Sequence, residues 1–575
     1  MDPVKVTDYI AAALAEKGVR QVFLLSGGMI THLLDSLHRD GRIEIINLHH
    51  EQAAAFAADA AGRMTGIPGV AMATSGPGAT NLLTGIGSCY FDSSPAVFIT
   101  GQVNRHEQKG DRRIRQLGFQ ETDIAAMAAP VTKAAWKVET PEQVPDFLER
   151  AFALAVEGRP GPVLLDIPMD VQRAHIRRLP KDGAACPARL AAFPSDALGA
   201  AIEAAERPLI LAGGGVRASR AIADFRRLVD ALGIPVVYSL MAVDVLPSTH
   251  PLRVGMIGTY GNRWSNLAVS RSDFLLVLGS RLDVRQTGSR TDAFKEGRTI
   301  FHVDCEAGEI NNRVPGCEAV VCGLAEFLPA FGSMLQGLDL QGRWRGWREE
   351  IEGLRRQWPD TAELSGVPGI NPNTFLHALS RRSASASAYV ADVGQHQMWA
   401  AQSLELCPEQ RFLTSGGMGS MGFGLPAAIG AALSAPSKPV VLVAGDGAFQ
   451  CNIQELQTVR RLKLPIKMVI LDNQCHGMVR QFQESYFEGR YVGTYWGYSA
   501  PDFPAVARAY GIDASMIREP EQMEDGIGWL WSEPRQPALL QVMIDVLANA
   551  YPKIAFGKPM SDMEPLAKPV EMEST

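Results

Sequence analysis

Short apolar runs alternate with segments of helical spacing along most of the chain. The first 175 residues contain four helical segments and three strand-like runs, in alternation: 4–17, 21–25, 29–38, 44–48, 51–65, 70–74 and 81–89. Continuously apolar runs are typical of parallel strands that are buried on both faces. The rhythm therefore predicts an α/β fold in which helices cover parallel sheets.

Residues 439–473 repeat this rhythm and place polar residues where two apolar runs end. The run at 440–443 leads into Gly445-Asp446-Gly447, a helical pattern covers 452–464, and the run at 466–471 leads into Asp472-Asn473. Neighbouring parallel strands end at one edge of a sheet, so we expect Asp446 and Asn473 to lie together beside a helix N-terminus. Such a corner favours phosphate and Mg²⁺. An ordinary glycine-rich turn with a surface Asp is the alternative.

Two segments rich in proline or charge, 176–194 and 341–372, divide the sequence. They predict three domains, at 1–175, 195–340 and 373–545, and a C-terminal arm at 546–575 that starts ordered and ends frayed. A chain of 575 residues is long enough for three domains.

The composition narrows the class of protein. Hydrophobic residues make up 46% and charged residues 20%, which is typical of a soluble globular protein. The net charge of −7 argues against a nucleic-acid partner. Eight scattered Cys residues fit a reducing compartment, and no apolar stretch is long enough to span a membrane. We expect a cytoplasmic protein without membrane or nucleic-acid partners.

Two further positions are ambiguous from the residues alone. Gly213-Gly214-Gly215 follows an apolar run and precedes a helical pattern, which is a weak dinucleotide signal because the GxGxxG spacing is missing. Glu51 stands where a strand gives way to an Ala-rich helix, and a Glu there is commonly just a favourable partner for the helix dipole.

Several stretches resemble one family. They are HHEQAAAFAADAAGRMTG at 49–66, ATSGPGATN at 73–81, FQE at 119–121, GRPGPVLLDIP at 158–168, DVGQHQMWA at 392–400, GSMGFGLPAAIG at 419–430 and the GDG…Asn pattern ending at Asn473. From about residue 5 to residue 550 the chain is similar to the acetohydroxyacid (acetolactate) synthase branch of thiamine-diphosphate (ThDP) enzymes. The resemblance implies three doubly wound parallel-sheet domains: pyrimidine-binding, FAD-type and diphosphate-binding.

The resemblance implies roles for individual residues. Glu51 would hydrogen-bond N1′ of the ThDP aminopyrimidine and promote proton loss from thiazolium C2, and Phe119 and Gln120 would lie near the reacting carbon. Asp446, Asn473 and the backbone carbonyl of Cys475 would bind Mg²⁺. The other implied ThDP contacts are Val393, Gly394, Gln395, His396, Gly419, Met421, Gly447, Ala448, His476, Gly477 and Met478.

FAD is the third implied cofactor, with a structural rather than a redox role. Its implied contacts are Arg159, Gly213, Gly214, Gly215, Met256, Gly279, Arg281, Arg285 and Asp304. The resemblance also implies a homodimer or homotetramer, in which Glu51 and the Asp446/Asn473 corner of one site come from different subunits. Nothing in the sequence shows a regulatory subunit.

The implied reaction decarboxylates pyruvate and transfers a two-carbon unit to a carbonyl acceptor. Three acceptor positions depart from the synthase pattern: Met29 in SGGM replaces the Ala of PGGA, Met169 replaces the Lys of IPKD, and Phe482 replaces the Trp of VRQWQ. The charged stretch 103–118 is also longer and would line the acceptor entrance. These changes favour a ketone acceptor, as in the similar carboligases of yersiniose-type branched-sugar pathways, whereas Arg285 favours a 2-oxo acid. A third hypothesis is that the protein is a flavin-dependent pyruvate oxidase.

Overall fold

The computed structural model describes residues 3–177, 194–335, 340 and 342–571. It contains three six-stranded sheets in which all strands run parallel, each accompanied by helices. The predicted fold class, α/β with three parallel-sheet domains, is confirmed. The linker predicted at 176–194 lies almost wholly outside the described residues.

The N-terminal sheet has the strand order β3-β2-β4-β5-β7-β6, and β1 pairs antiparallel with β8 at its side. The strands are β1 Val4–Lys5, β2 Gln21–Leu24, β3 Glu44–Asn47, β4 Gly69–Ala73, β5 Ala96–Gln102, β6 Ala134–Lys137, β7 Pro162–Pro168 and β8 His175–Ile176. The helices are α1 Val6–Glu16, α2 Thr31–Asp40, α3 Glu51–Thr65, α4 Pro77–Asn81, α5 Leu83–Asp92, α6 Ile124–Ala128, α7 Gln143–Val156 and α8 Met169–Arg173.

The central sheet has the order β11-β10-β9-β12-β13-β14. Its strands are β9 Pro208–Ala212, β10 Val236–Tyr238, β11 Arg253–Met256, β12 Phe274–Leu278, β13 Thr299–Asp304 and β14 Glu318–Val321. The helices are α9 Ser195–Ala204, α10 Gly215–Ala218, α11 Ile222–Leu232, α12 Arg263–Arg271, α13 Val284–Thr287, α14 Thr291–Lys295, α15 Leu324–Met334 and α16 Arg345–Gln357.

The C-terminal sheet has the order β16-β15-β17-β18-β20-β19. Its strands are β15 Ala388–Ala391, β16 Arg411–Leu413, β17 Val440–Gly445, β18 Ile466–Asp472, β19 Asp513–Ile517 and β20 Ala538–Met543. The helices are α17 Pro372–Arg382, α18 Gln395–Ser403, α19 Gly424–Ser434, α20 Asp446–Gln450, α21 Leu456–Leu462, α22 Gly477–Tyr486, α23 Phe503–Ala509 and α24 Met523–Leu530. A small antiparallel pair follows, β21 Lys553–Ile554 and β22 Met563–Glu564.

Helices α3 and α19 join the first and third sheets. Both are rich in small residues, and a Cβ added to Gly430 on α19 would lie 2.1 Å from the carbonyl oxygen of Ala57 on α3. Glycine therefore permits the two backbones to approach closely. Phe56 and Phe423 complete the contact edge to face, with ring centroids 5.4 Å apart.

The predicted 341–372 linker contains a helix that packs on the central sheet. Trp344 and Trp347, at the start of α16, are buried and donate indole N–H bonds to the carbonyl oxygens of Ala205 and Pro208. None of the helices in the described part of the chain is both long and apolar enough to cross a bilayer.

Candidate active site

The sequence-predicted corner forms at the carboxyl edge of the C-terminal sheet. Strands β17 and β18 are neighbours, and Gly445 is in register with Leu471, so Asp446 and Asn473 emerge at the same edge. Both side chains are buried. The Tyr498 hydroxyl donates to Asp446 Oδ2 over 2.9 Å, and Asn473 Nδ2 donates to Gln395 Oε1 over 3.0 Å.

The electrostatics of this corner suit a cation. Burial, followed by the negative charge of Asp472, raises the pKa of Asp446 to about 7 even though Tyr498 donates to it. A divalent ion would offset this crowding of negative charge. Within the described residues, no three His, Cys, Asp or Glu groups converge as a metal site. Mg²⁺ is commonly held by few protein ligands together with waters and phosphate oxygens.

Cys475 is expected to offer a metal its backbone carbonyl and not its thiol, and its surroundings are consistent with this expectation. Its side chain is buried, and burial raises the pKa of the thiol to about 12, so the sulfur stays protonated. Its backbone N–H donates to Asn473 Oδ1 over 3.3 Å, which keeps residue 475 beside the corner. A backbone carbonyl is the ligand that this position can offer.

A glycine-lined cradle adjoins the corner. A Cβ on Gly394 or Gly445 would lie 2.6 or 2.7 Å from the His396 ring, and one on Gly447 would lie 2.8 Å from the His476 ring. Burial lowers the pKa of His396 to about 3, so its ring is neutral, and Nε2 has no partner in the described part of the chain. The close backbone and the orphaned ring nitrogen fit a diphosphate group.

Further predicted ThDP positions surround the cradle. Ala448 is buried in α20, His476 caps α22, and Gly477 and Met478 form the first turn of that helix. The His476 ring packs against Tyr498, with centroids 4.5 Å apart.

Asp392 orders the turn that carries Met421. Its carboxylate accepts N–H bonds from Val393, Gly422 and Gly424 at 2.7–3.0 Å, and burial raises its pKa to about 6. Gly422 has φ 84°. Asp392 opens the DVGQ segment, but its supporting role was not predicted from the sequence.

Gly419 gives the same turn a second left-handed residue, with φ 67°. Met421 is 38% exposed at the tip of this turn, so its side chain is available to a ligand.

Glu51 begins α3 on the N-terminal sheet and is 5% exposed. His50 caps the helix by accepting the Gln52 N–H, which leaves the Glu51 carboxylate for other contacts. Asn81 Nδ2 donates to Glu51 Oε2 over 2.9 Å, and a Cβ on Gly78 would lie 3.2 Å from Glu51 Oε1. Asn81 is a second supporting residue that the sequence analysis did not single out, although it ends the quoted ATSGPGATN stretch.

The same glycine turn contacts Gln120. A Cβ on Gly76 would lie 2.8 Å from the Gln120 Cβ, and both residues have positive φ, 64° and 65°. Positive φ is uncommon for Gln, so the surroundings impose this conformation. Phe119 is 78% exposed beside it. The structure thus brings Gln120 to the turn that contacts Glu51.

Two of the altered acceptor positions lie on the same side of this domain. The Met29 N–H donates to Thr74 Oγ1 over 3.1 Å, and its carbonyl accepts from Gln172 Nε2 over 2.7 Å. Gln172 belongs to α8, the helix that begins at Met169. Both Met side chains are partly exposed.

Phe482 is coupled to the diphosphate corner through its neighbour Gln481. Gln395 Nε2 donates to Gln481 Oε1 over 3.1 Å, and Gln481 also exchanges two hydrogen bonds with the backbone of Ala550. Phe482 itself is 40% exposed and packs against Tyr486. The segment after β20 therefore helps to hold α22 in place.

The domains that carry Glu51 and the Asp446 corner contact each other within one chain. Residues flanking Glu51 contact the C-terminal domain: the His49 N–H donates to Glu455 Oε1 over 2.8 Å, and Asn452 Nδ2 donates to Gln52 Oε1 over 3.2 Å. Across the described residues, no hydrogen bond or ion pair joins the Glu51 carboxylate to Asp446 or Asn473.

A cavity of about 730 Å³ opens between the three sheets. Its size is within the range of cofactor pockets. Eight of the nine residues expected to contact FAD line it: Arg159, Gly214, Gly215, Met256, Gly279, Arg281, Arg285 and Asp304. The ninth, Gly213, lies beneath, where a Cβ would be 2.0 Å from the Gly279 carbonyl oxygen. Glycine is needed there for the strand ends to meet.

The charged groups of this cavity differ in their availability. Arg159 is engaged by Glu306 and Glu309 at 2.9 and 2.6 Å. Arg285 is exposed, and its guanidinium forms no ion pair with any residue that the structure describes. Asp244, bound by both Arg217 and Arg411, links the central and C-terminal domains on the cavity wall and was not anticipated.

Family models of thiamine pyrophosphate enzymes match the three domains in order. The N-terminal TPP binding domain matches residues 4–127, the central domain 196–331, and the C-terminal TPP binding domain 392–542.

Similar proteins cover nearly the whole chain. The acetolactate synthase isozyme 2 large subunit of Escherichia coli K12 is 37% identical over 96% of this chain and 98% of its own length. The acetolactate synthase large subunit of Parasynechococcus marenigrum is also 37% identical, over 96% and 89%. A probable acetolactate synthase large subunit of Methanocaldococcus jannaschii is 34% identical, over 99% and 96%.

Proposed function

Because this chain belongs to the thiamine pyrophosphate enzyme family, in its acetolactate synthase group, we propose that it transfers a two-carbon unit from pyruvate to a second 2-oxo acid or another ketone. It is a ThDP-dependent enzyme that decarboxylates pyruvate and forms a carbon–carbon bond. The observation that carries the proposal is the buried Glu51 carboxylate, fixed by Asn81 beside the turn that holds Gln120.

The residues around the cradle would hold the cofactor. ThDP, when bound, supplies a carbon nucleophile and an electron sink for loss of CO₂. Gly394, His396 and Gly447 would contact its diphosphate, and Asp446, Asn473 and the Cys475 carbonyl would bind Mg²⁺. Met421, exposed at its turn, would support the cofactor ring. FAD would occupy the three-domain cavity.

Glu51 would hold and move a proton at N1′ of the cofactor's pyrimidine ring. Its burial places the carboxylate away from bulk water, and the Asn81 amide orients it. Since Glu51 and the Asp446 corner are not linked within one chain, we propose that each complete site forms between two copies, in a homodimer or homotetramer. Glu51 would come from one copy and the metal corner from the other.

The residues proposed to bind the acceptor suit the two candidate substrates in different ways. The unpaired Arg285 would bind the carboxylate of a 2-oxo acid, which favours an acetolactate-type product. Met29, Met169 and Phe482 instead present partly exposed apolar groups. They favour the second candidate, a keto sugar or related ketone of branched-sugar biosynthesis, because such an acceptor needs no positive charge at residue 169.

The direct test is to incubate the purified protein with ThDP, Mg²⁺, FAD and pyruvate, alone and with candidate ketones, and to identify products by mass. Acetolactate as the sole efficient product would establish the 2-oxo acid acceptor and reject the ketone. A product heavier than an added ketone by the two-carbon unit would establish the ketone. Bleaching of the flavin at the rate of turnover would instead support a pyruvate oxidase.

A further inference from the structure

The loop of residues 104–118 between β5 and Phe119 is strongly basic, and we call it the basic loop. Residues 105–115 include Arg105, Lys109, Arg112, Arg113 and Arg115, five cations against two acids. The whole chain carries a net charge of −7, so this local excess stands against the overall sign. Local positive charge of this kind attracts anionic ligands.

The basic loop is fixed at its base by Glu121. The Glu121 carboxylate accepts the N–H groups of Lys109 and Leu117 at 2.6 and 2.9 Å, which closes the loop between them. Although burial opposes ionisation, these donors and the Gly118 N–H lower the pKa of Glu121. The Glu121 carboxylate therefore hydrogen-bonds backbone N–H groups and forms no ion pair with the described arginines of the loop.

Two cations of the loop are committed elsewhere. Arg105 pairs with Asp170 at 2.7 Å and donates to the Glu139 carbonyl at 2.6 Å. The Asp170 contact attaches the loop to α8 beside Met169. Arg112 turns back onto the carbonyl oxygens of Gln108 and Lys109, both at 3.2 Å.

Arg113 and Arg115 are the available charges. Both are exposed, and neither forms a hydrogen bond or ion pair with a described residue. They precede Phe119 and Gln120 by a few residues, on a loop that is tied both to α8 and to Glu121. A ligand at Phe119 that carried an anionic group would therefore find two unpaired guanidinium groups near it.

We propose that Arg113 and Arg115 bind a phosphate or diphosphate group on the carbonyl acceptor, so that the acceptor class is a phosphorylated or nucleotide-linked ketone. This rests on the proposed function. The phosphate is retained: pyruvate loses CO₂, its acetyl carbon bonds to the ketone carbon, and the ketone oxygen takes up one proton. Guanidinium groups recognise phosphate through paired N–H donors, and at an exposed site the attraction weakens with salt.

The first test compares two ketones that differ only by a phosphate, dihydroxyacetone and dihydroxyacetone phosphate, in the enzyme saturated with ThDP, Mg²⁺ and FAD. We expect kcat/KM to be at least about 10-fold higher for the phosphate. The variant Arg113→Gln/Arg115→Gln should lose this preference through KM while keeping CO₂ release from pyruvate alone. The matched control is Arg345→Gln/Arg356→Gln on α16. It removes two exposed arginines whose side chains form no hydrogen bond or ion pair with a described residue, and it should keep the preference.

The second test measures binding without turnover. Calorimetry of uridine diphosphate against the same saturated enzyme should show binding that uridine lacks, that falls at least about 10-fold in the double variant, and that weakens with salt. Equal use of both ketones together with no arginine-dependent binding of uridine diphosphate would overturn the proposal. So would a changed oligomeric state in the double variant, because the arginines would then serve subunit contacts. A wild-type enzyme that releases no CO₂ from pyruvate contradicts the proposed function instead, and the calorimetry still decides the anion site.

Discussion

Asp446 is a buried carboxylate that is exposed to the negative charge of another carboxylate, Asp472. Burial and Asp472 together raise its pKa to about 7, while Tyr498 provides one hydrogen bond. Such a residue destabilises the protein unless a cation or proton offsets it. A divalent cation would offset the charge, which is the role proposed for Asp446.

Asp446→Asn should therefore separate metal binding from folding. The amide keeps the shape and can accept a bond from Tyr498, so we expect an unchanged or higher melting temperature without ligands. Affinity for ThDP in the presence of Mg²⁺ should fall at least about 100-fold, because the charge that neutralises the metal is lost. Calorimetric titration checks this, and a variant with wild-type affinity would contradict the assignment of Asp446.

The positions of some site residues were predictable from the sequence, because these residues follow the ends of predicted strands. Asp446 and Asn473 each follow an apolar run, and the parallel topology fixes their edge of the sheet, whereas the role of Glu51 was implied only by the family resemblance. Asp392 and Asn81 were not predicted, because their roles depend on residues that are distant in sequence. Asp392 accepts the Gly422 N–H, and Asn81 donates to the Glu51 carboxylate. Pattern alone does not show which side chain supports which turn.

The secondary-structure elements were likewise predicted only in part. The helix predicted at 452–464 begins instead as a short 3₁₀ turn at Ile453–Glu455 and continues as α21, which ends at Leu462. Asn452, with φ −135°, separates this turn from α20, and its side chain donates to the Gly422 carbonyl oxygen and to Gln52. These tertiary bonds outweigh helix propensity at Asn452, so the predicted helix starts one residue later and its first turn is 3₁₀.

The contact between α3 and α19 yields a stability prediction. Gly430→Ala places a methyl group 2.1 Å from a backbone oxygen of α3, so the helices must separate, at a cost of about 1–3 kcal/mol. Gly353→Ala on α16 is the control: the added Cβ meets nothing within 4 Å, and we expect stabilisation of about 0.5–1 kcal/mol. Thermal unfolding distinguishes them, and equal melting temperatures would contradict the close contact.

His377 on α17 joins the segment before that helix to the segment after α18. Its ring nitrogens contact Asp360 Oδ2 at 2.9 Å and Glu405 Oε1 at 2.8 Å. Although burial lowers it, these partners raise the pKa of His377 above 6.5. Burial likewise opposes the effect of His377 on Asp360, yet the pKa of Asp360 is lowered from 3.8.

The pH dependence follows from these directions. The stabilisation from His377 is complete below pH 6.5 and is lost as pH rises through its raised pKa, whereas that from Asp360 is lost only as pH falls below 3.8. His377→Gln should lower the melting temperature more at pH 6 than at pH 9. His38→Gln, at an exposed position on α2, is the control for replacing a histidine that lacks these two carboxylate partners. A pH-independent effect of His377→Gln would contradict the ion pair.

In the molecule as a whole, one chain contains both halves of a site, and no hydrogen bond or ion pair among the described residues links Glu51 to Asp446 or Asn473. Complementation tests whether two copies form the site together. Glu51→Gln and Asp446→Ala should each be inactive alone, because every site then lacks one component. Co-expressed chains should recover about one quarter of wild-type activity, since random pairing leaves one intact site in each mixed dimer. Mixed dimers isolated through two different tags should reach about one half, because one of their two sites is intact, and no recovery would indicate that each site lies within one chain.

The architecture and the order of the three domains were predictable from periodicity and motifs, because buried parallel strands and glycine turns are local signals. The cavity between domains was not, since its walls include the Arg217–Asp244–Arg411 cluster, whose members are far apart in sequence. Arg285 was expected there from the resemblance, whereas its unpaired state is visible only in three dimensions.

Glu51 is proposed to activate a cofactor that a different domain holds, and the variant Glu51→Gln separates these two functions. ThDP affinity with Mg²⁺ should stay within about threefold of wild type, because the diphosphate corner is intact, while CO₂ release from pyruvate falls at least about 100-fold. Wild-type protein that binds no ThDP, or a variant that releases CO₂ at the wild-type rate, would contradict the account.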